Sequence, residues 1–100
     1  MGADGTGRIV EPGDVVAQFA RAIQNVATAL RAAGCVPEDT VKLTYYVIDV
    51  ELYKENLPAI GAAYRGVFGH HYPASTLIEV RSLFEPAALV EIDAVAVRRP

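Results

Sequence analysis

Between Tyr72 and Arg98 the chain alternates twice in the manner of an extended strand, and in neither run is one face polar. Thr76, Ile78 and Val80 fall on one side of the first run, and Leu77, Glu79 and Arg81 on the other. Leu83-Phe84-Glu85-Pro86 interrupts the pattern. The second run then sets Val90, Ile92, Ala94 and Ala96 against Leu89, Glu91, Asp93, Val95 and Val97. Successive strand side chains point to opposite faces, so both faces of a sheet built from these runs carry apolar groups. An antiparallel sheet with one wet face alternates cleanly instead. The two runs are therefore expected to form a hairpin, covered on one side by the chain's own helices and on the other by a partner chain. Glu91 and Asp93 share a face with Val95 and Val97, and they are the carboxylates around which any chemistry here would be built.

The helices that supply the cover are written upstream. Pro12-Gly13 breaks the chain and Asp14 is a good N-cap. Val16, Phe19, Ile23, Val26, Leu30 and Ala33 then recur at helical spacing, which predicts a helix from Asp14 to Ala33 that Gly34 ends in the left-handed conformation. Val41 to Ile48 is rich in β-branched and aromatic residues and reads as a strand, with Val41, Leu43, Tyr45 and Val47 on one face. Asp49 ends it. Proline deep inside a helix would lose a hydrogen bond and clash with the turn before it, at roughly 3 kcal/mol. Pro58 therefore divides the next segment into a short turn and a main helix that starts near it. Tyr53, Leu57, Ile60, Tyr64 and Val67 or Phe68 form the apolar stripe, and Gly69 stops the helix. With a short strand at Arg8-Ile9-Val10 the predicted order is (β)-α-β-α-β-β. This is an α+β layer, two helices over one face of a sheet, with the other face bare. A large bare apolar face is rare on a monomer, so self-association is the expected cover.

Size and charge narrow the functional classes. One hundred residues make one small domain, 1–100, with the Gly-rich residues 1–7 expected to be loose. The formal charge is -3 and the only adjacent basic pair is Arg98-Arg99. Nucleic acid, which selects clustered lysine and arginine, is not an expected partner. The start shows no basic-then-apolar segment, and no apolar run approaches the roughly 20 residues that cross a bilayer. Cys35 stands alone, so no internal disulfide is possible. A cytoplasmic protein with no membrane partner is expected.

These elements resemble the RidA family, also called YjgF-like or L-PSP-endoribonuclease-like proteins. Gln18, Asn25-Val26, Leu30 and Ala33-Gly34 resemble its first helix, and Val41-Lys42-Leu43-Thr44 through Val47 and Asp49 its V-K-x-T-x-x-V-x-D strand. Tyr64 and Phe68 fit its second helix. Pro73-Ala74-Ser75-Thr76, Glu79-Val80, Leu83 and Glu91-Ile92-Asp93-Ala94-Val95-Ala96 fit its C-terminal signature. The resemblance implies a chorismate-mutase-like α+β domain, a homotrimer with an inner barrel of sheets, and small-molecule clefts between subunits. It also implies hydrolysis of enamine or imine intermediates of amino-acid metabolism to keto acids and ammonia. In active members an arginine two residues after the proline of a P-A-R pattern binds the substrate carboxylate, and a last-strand glutamate helps place water.

Here the arginine position is Ser75, which cannot form the bidentate, charge-assisted clamp. Gly61 stands where the family has an asparagine, Leu77 where a cysteine is common, and Glu91 is retained. The family has two strands before the point matched by Arg8, so either the native start is longer or a partner covers the gap. The resulting expectation is an atypical family member. Glu91 is its candidate catalytic residue, and Ser75, Arg81, Gly61 and Leu77 are its candidate substrate-binding positions. It would bind a small carboxylate or other metabolite, or act weakly on imines. The alternatives are a non-enzymatic binding or regulatory homo-oligomer, and the ribonuclease or translation inhibitor of older family labels. No cofactor is expected: the glycines at 2, 5 and 7 do not form GxGxxG. No metal is expected either, because His70-His71 has no further histidine to complete a ligand set. The tyrosines 45, 46 and 72 read as packing, and Cys35 as inert.

Overall fold

The computed structural model describes residues 12–99, so the strand expected at 8–10 and the loose segment 1–7 lie outside the described residues. Helix α1 runs from Val15 to Ala32, and the Asp14 carboxylate accepts from the Ala17 amide at 3.0 Å. Phe19, Ile23, Val26 and Leu30 are buried along one stripe, with Ala22 fully buried beside them. Gly34 has φ +79, and the amides of Gly34 and Cys35 return to the carbonyls of Arg31 and Leu30. That pair of bonds is a Schellman closure, which uses the last free carbonyls of the helix. A 3-10 turn at Pro37–Asp39 leads into β1, Thr40–Val47.

After β1 come the short α2, Val50–Glu55, and α3, Leu57–Phe68, with Pro58 in the first turn of α3 as its missing amide requires. Asp49 accepts from the Leu52 amide at 3.1 Å. Tyr53, Ile60, Tyr64 and Phe68 are buried as the stripe predicts, but Leu57 is 49% exposed. Gly69, at φ 58, ends α3. The last strands are β2, Ala74–Glu79, and β3, Val90–Ala96.

The expected hairpin is not formed. The sheet order is β2-β1-β3, with β1 parallel to β2 and antiparallel to β3. The two C-terminal strands take opposite edges of β1, and residues 80–89 cross between them. The physical reason is long-range. A strand apolar on both faces and placed centrally satisfies its backbone groups only with a neighbour on each side. The helical connection from β1 returns the chain parallel on one edge and leaves the other edge to β3.

A second correction concerns the face of β1. The register shifts between Thr40 and Lys42, and this bulge turns Val41 outward, 49% exposed, while Thr40 is buried in its place. Leu43, Tyr45 and Val47 do share the helix-covered face, with Val90 and Ile92 from β3. The opposite face carries Lys42, Thr44 and Tyr46 from β1, Glu91, Asp93 and Val95 from β3, and Thr76 and Ile78 from β2. It mixes polar and apolar groups, and among the described residues no helix covers it. The helix layer also stops short of β2, every residue of which is exposed.

One buried polar residue ties the crossing segment to the helix layer. The Gln18 side chain is fully buried; its amide donates to the Ala87 carbonyl at 3.2 Å and its oxygen accepts from the Leu89 amide at 2.8 Å. These bonds fix the chain where it turns into β3. Gln18→Leu keeps the volume and removes both, leaving a donor and an acceptor unpaired, so a loss of about 1–3 kcal/mol is expected in urea unfolding. A variant as stable as the parent would show that the crossing segment is held by something else.

Candidate functional site

A cleft of about 220 Å³ opens where α3 lies over β1 and the start of β2. Its walls are aromatic: Phe19, Tyr45, Tyr53, Tyr64 and Tyr72. The structure brings Gly61 and Ser75 together here, one from each side, with Arg65 beside Gly61. The loop before β2 builds one wall. Tyr64 donates its hydroxyl to the His71 carbonyl at 2.6 Å, and His71 Nε2 lies 2.9 Å from the Thr40 carbonyl. That anchoring holds Tyr72 against Tyr64, ring centroids 5.5 Å apart and nearly parallel. Ser75 donates to the Pro73 carbonyl at 3.0 Å, a local bond that fixes its rotamer at the edge of the cleft.

Burial pushes the Tyr45 phenol well above its ordinary value, with the neighbouring Tyr64 and Tyr53 adding to the rise; a hydrogen-bonding contact with Ser75 works the other way. Burial likewise raises Tyr53, and raises Tyr64 with a further contribution from Tyr72. These groups are neutral hydroxyls at any ordinary pH. The cleft therefore presents one cation, polar hydroxyls and apolar ring faces, and among the described residues no carboxylate lines it.

The other sequence candidates lie elsewhere. Leu77 follows Ser75 on the same face of β2, is 39% exposed and does not line the cleft. Arg81 follows the far end of β2 and is exposed. Glu91 sits across from Tyr46 on the bare face of the sheet, the opposite face from Ser75. Within one chain the sheet separates the two. Beside Glu91, Tyr46 is raised by local desolvation, then by the Asp93 carboxylate, to which its hydroxyl hydrogen-bonds, and by Glu91. His70 is exposed, Cys35 is buried below the end of α1, and among the described residues no group of His, Cys, Asp and Glu is arranged to hold a metal. A larger groove, about 420 Å³, runs between α1 and β3; its walls are mostly alanine and other apolar groups, with Asn25 and Asp93.

Sequence reasoning missed Arg65 and read the tyrosines only as packing. A signal for Arg65 was present. Residues i and i+4 share a helix face, and a long side chain leans back toward the helix N-terminus. An arginine four residues after Gly61 on α3 thus projects over the position where the glycine leaves space.

This arrangement, among the described residues a three-stranded mixed sheet under a helical layer with a cleft at one sheet edge, is that of the YjgF and L-PSP class of α+β folds. The sequence profile of the endoribonuclease L-PSP family matches residues 1–98, and the chain belongs to that family. It is 35% identical over 91 residues to the 2-iminobutanoate/2-iminopropanoate deaminase of Escherichia coli, a match covering 88% of this chain and 67% of that one. The crystal structure of YyfB from Yersinia pestis, a protein of unknown function of the conserved Rid family, superposes with a TM-score of 0.83 at 32% identity, over 95% of this chain and 71% of that one. The structure of Escherichia coli TdcF with bound serine superposes with a TM-score of 0.74 at 31% identity, over 94% and 71%. No helix among the described residues is long and apolar enough to cross a membrane.

The buried phenols give the cleft a pH signature. Because the fold holds Tyr45 above its unfolded value of about 10, its contribution to stability is complete below that pH and is lost as pH rises through the folded value. Tyr45→Phe removes this dependence. Unfolding by urea at pH 8 and pH 11 is expected to show a smaller alkaline loss for the variant than for the parent, with Tyr53 and Tyr64 sustaining the remainder. Identical losses would place the alkaline sensitivity elsewhere.

Proposed function

We propose that this protein is an atypical RidA-family member that binds a small amino-acid-derived metabolite and weakly hydrolyses enamine or imine intermediates. The observation that carries the reading is the cleft itself. It gathers Gly61 and Ser75, the positions of two substrate-binding residues in the family, under aromatic walls and in a volume suited to a ligand of few heavy atoms. A relative of 31% identity is described with serine bound. Relatives of 31–35% identity carry the name 2-iminobutanoate/2-iminopropanoate deaminase.

The family clamp is absent at Ser75, so rate and affinity fall below those of members with the arginine. Glu91 is the proposed water-positioning residue. Because it lies on the opposite sheet face from Ser75, it reaches a ligand in this cleft only when a second copy brings its own sheet face to the cleft mouth. The proposed assembly is the homotrimer of the family. Exposed Ile78 and Val95 on the uncovered face, and the edge of β2 that is unpaired among the described residues, are surfaces that association would bury. RNA cleavage is less well supported, because the cleft lining offers neither histidine nor carboxylate to deprotonate a ribose hydroxyl.

The test is ammonia release from imines generated in place from small amino acids, with semicarbazide as the competing trap. Release is expected above the buffer rate and slower than that of an arginine-bearing relative. Glu91→Gln is expected to lower it by about a hundredfold or more, the usual scale for removing a positioned proton-transfer group. A parent rate equal to buffer would leave binding without hydrolysis.

A further inference from the structure

Arg65 stands in the last turn of α3, where the ordinary lean of a long helical side chain carries its charge back toward the cleft. A cation there favours the negative end of the helix dipole, and that needs only the charge near the helix end. The side chain also reaches back one turn, to Gly61. Its Nη1 lies 3.1 Å from where a Cβ on Gly61 would stand, so the end of the guanidinium lies against the space that the glycine leaves open, and a side chain there would shift it by a few tenths of an ångström. From there it lines the cleft with Ser75, Tyr45 and Tyr72. The described ion pairs, Lys54 with Glu51 and Arg99 with Asp39, do not involve it. A planar, permanently charged group with no counter-charge in its cleft is complemented by an anion, and guanidinium geometry matches a carboxylate. The tyrosine hydroxyls and Ser75 offer neutral donors for a second polar atom beside that carboxylate.

We propose that Arg65 is the carboxylate-binding residue of this cleft, contributed by α3 in place of a cation on β2, with Gly61 leaving open space beside the guanidinium. The ligand class is a small 2-oxo or 2-imino acid. This rests on the small-metabolite reading above and names the group that selects the ligand. Gly61 and Arg65 are neighbours in the cleft wall, the guanidinium lying beside the open position of the glycine. The serine at 75 is then a consequence of where the cation sits, since two guanidinium groups in a cleft of about 220 Å³ would repel each other.

The experiment is a calorimetric titration of the purified chain with pyruvate and 2-oxobutanoate, with lactamide as a neutral probe of similar size. Arg65 is exposed, so Arg65→Gln is expected to fold as the parent does, checked by circular dichroism. It is expected to raise the Kd for both acids by about tenfold or more, the scale of a lost charge-assisted contact, and to leave lactamide binding unchanged. Arg65→Lys is expected to retain part of the affinity, and Gly61→Asn, which keeps the charge and only shifts the guanidinium, to lose less than Arg65→Gln. Adding Ser75→Arg to Arg65→Gln is expected to restore acid binding. If the parent binds the acids and Arg65→Gln binds them equally well, the assignment to Arg65 is overturned while the small-metabolite reading stands. If the parent binds neither acid, the carboxylate class is overturned, and imine hydrolysis in the assay above would show whether the broader reading survives.

Discussion

The structure depends on β1 having a neighbour on each edge. Its β-branched and aromatic residues make it the strand least able to stand at a sheet border, and both its edges are hydrogen-bonded: parallel to β2, antiparallel to β3. Once β1 is central, the rest follows in sequence. Leu43, Tyr45 and Val47 set the covered face; α1 and α3 pack over it through Phe19, Ile23, Ile60 and Phe68; and the C-terminal strands must separate. Glu79 marks one end of this arrangement, its carboxylate accepting from the Val50 amide at 2.9 Å and so tying the end of β2 to the start of α2. Gln18 holds the chain where it enters β3, at the same end of the sheet, since Val47 pairs with both Glu79 and Val90.

The cleft is the place where this packing runs out. The helical layer covers β1 and β3 but not β2, so tyrosines that are core residues at one end are cleft walls at the other. Tyr45 is 8% exposed, yet its hydroxyl reaches Ser75. Such a boundary suits recognition: buried ring faces form the floor and walls, and the exposed Ser75 and Arg65 offer polar groups at the rim. The cation there comes from a helix and the serine from a strand, and both belong to the rigid framework.

The two carboxylates of β3 stand apart from this cleft, across the sheet. Glu91 and Asp93 crowd Tyr46 on a face that also shows Ile78 and Val95. A surface of that mixture is neither a core nor an ordinary wet face. The proposed assembly gives it a use, because a second copy would bring these carboxylates toward a neighbour's cleft.

Much of the fold was legible because it was written in local rules. Asp14, Gly34, Asp49, Pro58 and Gly69 punctuate the chain through backbone chemistry that needs no tertiary context, and the helices and strands begin and end where those residues require. The spacing of Phe19, Ile23, Val26 and Leu30 likewise fixed which side of α1 would be buried. Strand pairing was not legible in this way. Two consecutive alternating runs suggest a hairpin, and the choice of β1 as their common neighbour depends on contacts distant in sequence. The bulge that turns Val41 out is equally invisible to a period of two. Of the site, Gly61 and Ser75 could be named from resemblance. Their meeting in one cleft, the folding of Arg65 over Gly61, and the separation of Glu91 from Ser75 by the thickness of the sheet were decided only by the tertiary structure. Period and capping are properties of neighbouring residues, whereas a cleft is made by residues whose only connection is that the packed layers bring them together.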